Sequence, residues 1–384
     1  MSTIKTNNII HISNTGDPNI VLGDSGDVQV QSLNSGPLAG LRNALINGGF
    51  TVFQRETGAP VVVSFTSSQY VLDRWNVRSN VGAAATTITV RDLATSDHPP
   101  GCWKAMRLEN ATATASPTST QFVGFQQKLE QDTTRALGFG SPLNAPISVG
   151  FWIRSSVAAT YTFSVQCEGS VRRSSLFDFT VPADTTNWTY VSHSFTTDSS
   201  IGFLDNASGT GAIVSIYLAS GSNFVGGTNE AWNGGELFMT SAASNNFTTT
   251  AGAFVDITGF QLEPGPVATP FEHRPIGTEL ALCQRYYFKT QSSNNSALMT
   301  GFCSGSNTVT MVRDLPVTMA KVPVLSYQNL VLQPGALNFT PGLQRHTTSH
   351  LSMLATATGV TLGNGYSIET QTGVTGFIAA DAEL

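Results

Sequence analysis

The sequence predicts an all-β protein with a β-sandwich as its largest part. Charged residues make up only 11% of the 384 residues, against roughly a quarter in an ordinary soluble domain. Ser, Thr, Asn and Gly take the positions that Lys and Glu occupy on helix surfaces. Short segments rich in Val, Thr, Ile and aromatic residues recur with turns between them, which is typical of a sandwich or barrel.

The first forty residues are polar and Gly-rich. Two turn signals, NTGDPN and LGDSGD, separate the short apolar pieces IIHI and NIVL. Such a segment cannot bury a core alone, so we expect residues 1–40 to form an N-terminal attachment arm whose short strands are completed by neighbouring copies or a docking partner. A disordered tail is the alternative.

Residues 41–277 are predicted to form the β-sandwich. Alternation is clear at Ile147, Val149, Phe151 and Ile153, which places these side chains on one face of a strand. We expect Trp75 and Trp152 in the core. The strand-like segments are TVFQR, PVVVSFT, ATTITVRD, KAMRLEN, QFVGFQQKL, ISVGFWIRS, TYTFSVQCE, LFDFTV, TYVSHSF, AIVSIYLA and FVDITGFQLE.

One segment has helical rather than strand spacing. In PIGTELALCQRYYFK the residues Leu280, Cys283, Gln284 and Tyr287 recur at helical intervals. We therefore predict a short linking helix at 278–290. The strand pattern then returns, so residues 291–384 are predicted to be a small C-terminal β tip domain.

Several classes of partner are not expected. The net charge of −6 is spread thinly, with no basic run to neutralise phosphates, which argues against nucleic-acid binding. No apolar run reaches the roughly 18 to 20 residues needed to cross a bilayer. No cofactor or metal is expected either, because the four cysteines form no CxxC pair and fit buried thiols; they are Cys102, Cys167, Cys283 and Cys303.

The sequence offers no catalytic constellation, so we do not expect an enzyme. No GxSxG or similar motif accompanies the six histidines. A glycosidase needs two carboxylates roughly 5 to 10 Å apart, and no acidic pair stands out. The candidates for such a pair are Glu109, Glu130, Asp132, Glu168 and Asp178.

Carbohydrate binding uses exposed aromatic rings flanked by Asn, Asp or Gln, and two loops have that composition. One is GGTNEAWNGGE, with Trp232 between Asn229 and Asn233, where a Gly-rich loop is a poor place to bury an indole. The other is SDHPPGCWK, with Trp103. Packing at a sandwich edge or a subunit contact is the competing interpretation of both tryptophans.

The predicted tip domain adds two aromatic candidates for ligand contact. They are Tyr327 and Tyr366, chosen because they are amphipathic side chains in the part of the chain expected to lie farthest from the arm. Position is the only argument for them.

Two landmarks in the sequence resemble a known family. RNALINGGFTVFQR (42–55), followed by YVLDRWNV (70–77), resembles the opening of β-sandwich modules in tail-fibre proteins of tailed bacteriophages. FVDITGFQLEPGPVATPFEHRPIGTELALCQRYY (254–287) is similar to the end of the same module. VRDLPVTMAKVPVLSY (312–327) resembles the start of the distal domain in many phage fibres.

The resemblance implies a jelly-roll sandwich similar to carbohydrate-binding modules. It also implies a structural virion protein, made in the host cytoplasm, that forms a homotrimeric tail fibre or receptor-binding subunit. Such a protein contacts other virion proteins through its N-terminal arm and a glycan on the host surface. Two alternatives stay open, a capsid decoration or head-fibre protein and a polysaccharide depolymerase.

The motifs also make physical sense without the family. In DRW we expect Trp75 to be a buried aromatic, with Asp73 and Arg74 forming a charged pair at a strand end. In QLEPGPVATPF we expect a strand to end before a Pro-Gly turn, after which an extended segment returns over the sandwich.

Overall fold

A computed structural model describes the chain at residues 8–9, 20–22, 28–30, 41–55, 61–65, 69–79, 82–113, 116–142, 144–168, 172–200, 209–293, 296–335, 337–341, 346–371 and 373–384. Most of the expected attachment arm, residues 1–40, lies outside this part. Its three described strands form an antiparallel sheet in chain order, and they are β1 (Asn8–Ile9), β2 (Ile20–Leu22) and β3 (Val28–Val30).

The protein is all-β, as the composition predicts. The strands of the central unit are β4 (Val61–Phe65), β5 (Gln69–Leu72), β6 (Trp75–Ser79), β7 (Gly82–Asp92), β8 (Lys104–Asn110), β9 (Phe122–Glu130), β10 (Pro146–Ser155), β11 (Ala159–Cys167), β12 (Arg173–Val181), β13 (Thr189–Thr196), β14 (Thr210–Ser220), β15 (Val225–Gly227), β16 (Trp232–Gly234), β17 (Met239–Thr240) and β18 (Ala253–Pro264). Two short helices and a 3-10 turn interrupt them, namely α1 (Gln131–Ala136), α2 (Asn246–Thr249) and Ser222–Phe224.

Two antiparallel sheets face each other across one core. The six-stranded sheet has the order β13-β10-β18-β8-β7-β4, and the seven-stranded sheet has the order β16-β12-β11-β14-β9-β6-β5. The predicted alternation along β10 is confirmed, because Ile147, Val149, Phe151 and Ile153 are fully buried between the sheets.

Trp75 lies at the centre of the sandwich core, as predicted. Its ring centroid is 5.4 Å from Phe50, 5.8 Å from Phe125 and 5.3 Å from Phe260. The indole Nε1 donates to the carbonyl of Asn47 at 3.0 Å, so the one polar atom of this buried ring is satisfied.

Two local predictions were wrong. Trp152 is only half-buried, because it alternates with Phe151 and Ile153 and therefore points to the outside of the six-stranded sheet. The segment TVFQR is irregular rather than a strand. Its backbone bonds to side chains instead, with Val52 N donating to Asn47 Oδ1 at 3.0 Å and Gln54 N to Asp73 Oδ2 at 2.6 Å.

The turn after β18 follows the prediction. The strand ends at Pro264, and the next residues return over the outside of the sheet. There Thr269 N donates to Glu263 Oε1 at 2.6 Å, and Glu272 N donates to Gln261 Oε1 at 2.8 Å. These buried carboxylate and amide groups hold the returning segment in place.

The linking helix is present but starts earlier and is shorter than predicted. α3 spans Ile276–Gln284, and the predicted range 278–290 runs into the next strand. Pro275 occupies the N-cap position, and its carbonyl accepts from Thr278 N at 2.9 Å and Glu279 N at 3.1 Å. A proline is tolerated there because the N–H that it lacks would have no partner within the helix.

The C-terminal unit has two sheets around its own core. Its strands are β19 (Tyr287–Ser292), β20 (Ala297–Cys303), β21 (Thr308–Asp314), β22 (Val324–Gln328), β23 (Leu330–Gln333), β24 (Thr340–Pro341), β25 (His350–Thr356), β26 (Gly365–Thr370) and β27 (Gly376–Asp381). The orders are β19-β27-β22 and β23-β26-β20-β21-β25-β24. Met311, Leu332, Met353 and Ile368 are fully buried in this second core.

The two units meet at a set of charged and aromatic side chains that we call the interdomain seam. At its centre, the guanidinium of Arg74 is ion-paired with Glu383 and lies 3.4 Å from the centroid of the Tyr286 ring. Asp73 does not pair with Arg74, contrary to the prediction; it accepts from the backbone and the side chain of Gln54 instead.

Two further contacts complete the seam. Arg55 Nη1 is 2.8 Å from Asp381 Oδ2, and its guanidinium lies 3.7 Å from the centroid of the Tyr287 ring. On the other side, Glu130 accepts from Arg285 Nε at 2.8 Å and from the Tyr286 hydroxyl at 2.7 Å. The end of β27 and Glu383 are thereby tied to Arg55 and Arg74, and the residues between α3 and β19 are tied to β9.

Candidate functional site

Trp103 is the most exposed of the predicted aromatic contact residues. Its side chain is 54% exposed at the start of β8. The ring of His98 lies beside it, with the centroids 3.9 Å apart and the planes inclined by 35°. His98 Nδ1 donates to the carbonyl of Pro99 at 2.9 Å, which fixes the orientation of the imidazole.

A second aromatic pair lies on the same side of the six-stranded sheet. Trp152 and Tyr190 are register partners on β10 and β13, and their ring centroids are 4.9 Å apart. Both point away from the core, because their neighbours Phe151 and Val191 are buried in it. Tyr190 is 41% exposed.

The two pairs lie on neighbouring segments. A Cβ added to Gly259 would lie 3.0 Å from Cys102 Sγ and 3.3 Å from Trp152 Cδ1, so the residue next to Trp103 packs close to Trp152. We call the four rings of His98, Trp103, Trp152 and Tyr190 the aromatic surface. Sequence reasoning missed three of the four, although the alternation along β10 contained the signal for Trp152.

Charged groups hold the loop that carries His98 and Trp103. Arg154 Nη1 contacts Asp97 Oδ1 at 2.5 Å, and Arg154 Nε contacts Asp256 Oδ2 at 2.8 Å. Arg107 binds the same buried Asp256 through two bonds of 2.7 and 2.8 Å. Trp188 Nε1 donates to the Asp97 carbonyl at 3.1 Å. The loop is thus fastened to the outer side of the sheet at several points.

Trp232 packs at an edge of the sandwich, which is the competing interpretation given for it above. It begins β16 and is half-buried against the sandwich core, with its ring edge-on to Phe139 at 5.9 Å and Phe195 at 6.4 Å. Its Nε1 donates to the Thr196 carbonyl at 2.9 Å. The short strand β16 pairs with β12 and brings the half-buried indole to the edge of the core.

The two asparagines beside Trp232 support the local backbone. Asn233 Oδ1 accepts from Thr228 N at 2.8 Å, and its Nδ2 donates to the carbonyl of Ala231 at 2.8 Å. Asn229 is exposed, and its Oδ1 accepts from Asp178 N at 2.8 Å. Asn233 therefore shapes the loop, whereas part of Asn229 faces solvent.

A pocket of about 290 Å³ adjoins Trp232 at this edge of the sandwich. His193 lines it and stacks on Phe177 with the ring planes 6° apart and the centroids 3.9 Å apart. Burial lowers the pKa of His193, and Glu230 acts in the opposite direction. The other lining residues are Pro146, Ser175, Ser194, Phe195, Thr196 and Glu230.

The two tyrosine candidates of the predicted tip domain differ in their exposure to solvent. Tyr327 is 41% exposed on β22. Tyr366 is buried, and its hydroxyl accepts from Thr361 N at 2.8 Å. It lines the floor of an open depression of about 590 Å³ with Thr300, Gln333 and Glu369. Only Tyr327 offers a ring face to solvent.

Three of the five acidic residues considered for glycosidase chemistry have other partners. Glu130 belongs to the interdomain seam, and Asp178 accepts from Thr162 Oγ1 at 2.7 Å. Glu168 is ion-paired with Arg172 at 2.9 Å. Within the described ranges, no group of three or more His, Cys, Asp or Glu side chains is arranged to hold a metal ion.

The prediction of buried thiols is confirmed, because all four cysteines are free and buried. Burial raises the pKa of Cys102 to about 11 and that of Cys283 further, so neither is an activated nucleophile. In the described part of the chain no helix has the length and apolar character needed to span a bilayer.

Comparison with known proteins gives no family. No protein-family description matches the sequence, and no curated protein matches it. Among solved structures, the enzymatically active domain of tailspike protein 4 of bacteriophage CBA120 aligns with 58% of this chain at 10% identity and a TM-score of 0.32. This chain covers only 21% of that tailspike.

Two carbohydrate-related structures also align. A putative sugar binding protein from Bacteroides thetaiotaomicron covers 58% of this chain and is itself covered completely, at 12% identity and a TM-score of 0.30. A family 11 carbohydrate-binding module from Clostridium thermocellum covers 56% of this chain and is covered over 98%, at 11% identity and a TM-score of 0.26. Alignments with TM-scores this low do not assign a ligand to this chain.

Proposed function

We propose that this chain is a non-catalytic, glycan-binding subunit of a phage surface appendage, a homotrimeric tail fibre or receptor-binding protein. The resemblance of residues 42–55, 70–77 and 254–287 to phage fibre modules supports a place in a phage appendage. The aromatic surface supports the binding of a glycan.

The observation that carries glycan binding is the exposure of Trp103 in a fixed orientation. An indole that is 54% exposed leaves a large apolar face in water. The C–H groups of a sugar ring can cover such a face, and aromatic contacts of this kind contribute about 0.5–1.5 kcal/mol each. Because His98 and the anchored loop hold the ring in place, little side-chain freedom is lost on binding.

The test is binding of the purified protein to an array of bacterial surface glycans. We expect Trp103→Ala to weaken binding about threefold to tenfold per site, by the magnitude of one aromatic contact, with a larger loss where several copies bind together. Tyr327→Ala is the matched control, since it also removes an exposed ring but from the tip unit.

The control also decides between the two units. Loss of glycan binding in Tyr327→Ala together with unchanged binding in Trp103→Ala would contradict the aromatic surface and assign the function to the tip. Both variants should keep the melting temperature of the wild type, because neither side chain belongs to a hydrophobic core.

The place on the particle is tested separately. Electron microscopy of whole particles labelled with antibody against residues 291–384 should show label at the outer end of the tail. Label spread over the capsid would instead support a decoration or head-fibre protein. Light scattering of the free protein should give the mass of a trimer, and the mass of a monomer would contradict the assembly.

A further inference from the structure

One edge of the sandwich has an opening between the two sheets. β13 is the edge strand of the six-stranded sheet, and β16 is the edge strand of the seven-stranded sheet. The pocket of about 290 Å³ beside Trp232 opens between them, with His193 and Phe195 contributed by β13 and Trp232 by β16. All three aromatic side chains are half-buried, so each keeps part of its ring accessible.

The charge of this pocket is set by two of its described lining residues, His193 and Glu230. Burial lowers the pKa of His193 below the ordinary value of 6.5, so the imidazole is neutral at pH 7. Glu230 is exposed and brings a carboxylate to the mouth of the pocket. The described lining therefore carries one negative charge at neutral pH.

This negative charge has no counterpart in the described part of the pocket wall, which contains neither lysine nor arginine. Arg173 lies on the adjacent strand β12, where its register partner on β16 is Gly234. Its guanidinium is already ion-paired with Asp198. Glu230 itself takes part in no ion pair with a described residue. Its carboxylate is thus available to a ligand that carries a positive charge.

The backbone of Glu230 is held in a fixed position. Its φ is +56°, a left-handed conformation that costs a residue other than glycine about 1–2 kcal/mol. Its N–H donates to the carbonyl of Leu176 at 2.7 Å, and the preceding Asn229 accepts from Asp178 N at 2.8 Å. Both bonds fasten the loop to β12. Non-glycine residues in such conformations are concentrated at functional sites, and here the bonds keep the carboxylate beside the pocket.

We infer that this pocket binds one amino-sugar residue, with its protonated amine towards Glu230 and its ring against Phe195 and Trp232. A carboxylate accepts strong hydrogen bonds from an ammonium group, and aromatic rings attract it as well. The apolar C–H groups of the sugar ring pack against the aromatic side chains. The neutral imidazole of His193 does not repel the amine.

The remaining features of the pocket suit a sugar better than a lysine side chain. Ser194 and Thr196 are exposed in its lining, and their hydroxyl groups accept as well as donate, as sugar hydroxyls do. The volume is just below the roughly 300–1,000 Å³ typical of drug-sized ligands, so it fits a single ring. The inference names a sugar class for the glycan binding proposed above and rests on that proposal, but none of the four rings of the aromatic surface lines this pocket.

The first test compares glucosamine with glucose, which lacks the amine, by saturation-transfer NMR at pH 7. We expect the wild type to bind glucosamine at least about threefold more tightly, by the magnitude of one partly exposed ion pair. Glu230→Gln keeps the size of the side chain but removes its charge, so it should bind the two sugars equally. Its melting temperature should match that of the wild type, because Glu230 is exposed.

Glu109→Gln is the matched control. It makes the same change of charge on β8, at a residue that does not line the pocket. It should therefore keep the preference for glucosamine. The same preference in Glu230→Gln as in the wild type, or no binding of glucosamine by the wild type, would overturn the inference.

Further ligands test the sugar itself. N-Acetylglucosamine has the same ring with an uncharged amide, so it should bind as weakly as glucose. Methylamine that competes as well as glucosamine would show a simple cation site, and a lysine-containing peptide that competes better would assign the pocket to a protein partner; either result would contradict the sugar. Trp103→Ala should leave glucosamine binding intact, so failure of this site and failure of the aromatic surface are distinguishable.

Discussion

His193 links a single side chain to the behaviour of the protein in acid. Its ring is neutral when stacked on Phe177, and burial lowers its pKa below the ordinary value of 6.5. In the unfolded chain the imidazole takes up its proton at the higher, ordinary pKa. The stacking therefore stabilises the fold above about pH 6.5, and the stabilisation is lost as pH falls through the lowered pKa.

We accordingly expect the melting temperature of the wild type to fall more between pH 7 and pH 5 than that of His193→Gln. The variant loses the stacking at every pH, so it should be less stable throughout but have the flatter curve. Thermal unfolding followed by circular dichroism at several pH values measures both. Parallel curves would mean that another group controls the acid sensitivity.

Single residues also show where sequence reasoning succeeds. Trp75 was placed correctly because a large aromatic side chain beside a strand pattern is usually buried in the core. Trp152 was placed wrongly because an aromatic residue was read as core without applying the alternation found in its own strand. The burial of Gln126 in β9 gave no sequence signal, since it depends on the register of β9 with β14 and β6.

At the scale of elements, the motif NGGF shows why the backbone conformation of a turn can be as restricted as that of a strand. Asn47 has a φ of +60° and bonds through its side chain to both the N–H and the carbonyl of Val52. Gly48 follows, and Phe260 N donates to its carbonyl at 3.0 Å. A Cβ on Gly48 would lie 2.0 Å from the Phe260 carbonyl oxygen, closer than any real contact.

Gly48→Ala should therefore destabilise the sandwich by about 2–3 kcal/mol or more, since the backbone of β18 must move. Gly277→Ala is the matched control. A Cβ there meets nothing within 4 Å, and in the helix α3 alanine is favoured over glycine by up to about 1 kcal/mol. Urea unfolding of both variants gives the comparison, and equal stabilities would refute the steric account.

The secondary-structure elements also show which features a local sequence pattern can predict. The strands KAMRLEN and TYVSHSF were predicted to within a residue, because alternation is a local property. The segment TVFQR was not, because its backbone partners are Asn47 and Asp73, and Asp73 is 19 residues from Gln54. The start of α3 depends on Pro275, whose role as a helix start was not weighed.

At the scale of the whole molecule, the return of the strand pattern predicted a separate β domain at residues 291–384, but nothing in the local sequence predicted the interdomain seam. Arg74 and Glu383 are 309 positions apart, and no local signal pairs them. DRW was recognised as a charged motif, but its arginine, Arg74, contacts Glu383 of the C-terminal unit. Long-range charge pairing is what single-sequence reasoning lacks.

The seam predicts that the two units unfold together. Glu383→Gln leaves Arg74, which is fully buried, without its carboxylate, so we expect a loss on the order of 3 kcal/mol and two calorimetric transitions where the wild type has one. Asp381→Asn is the matched control, because Asp381 is 42% exposed and its pair with Arg55 contributes at most about 1 kcal/mol. Two transitions already in the wild type would contradict the coupling.

The same seam has a mechanical consequence. The C-terminal unit is joined to the sandwich by the covalent path through α3 and by the side chains of Asp381 and Glu383, and Asp381 lies opposite Tyr287, just after that helix. Ion pairs beside a covalent connection resist rotation about it. A sideways force or torque applied to the C-terminal unit is therefore transmitted to the sandwich.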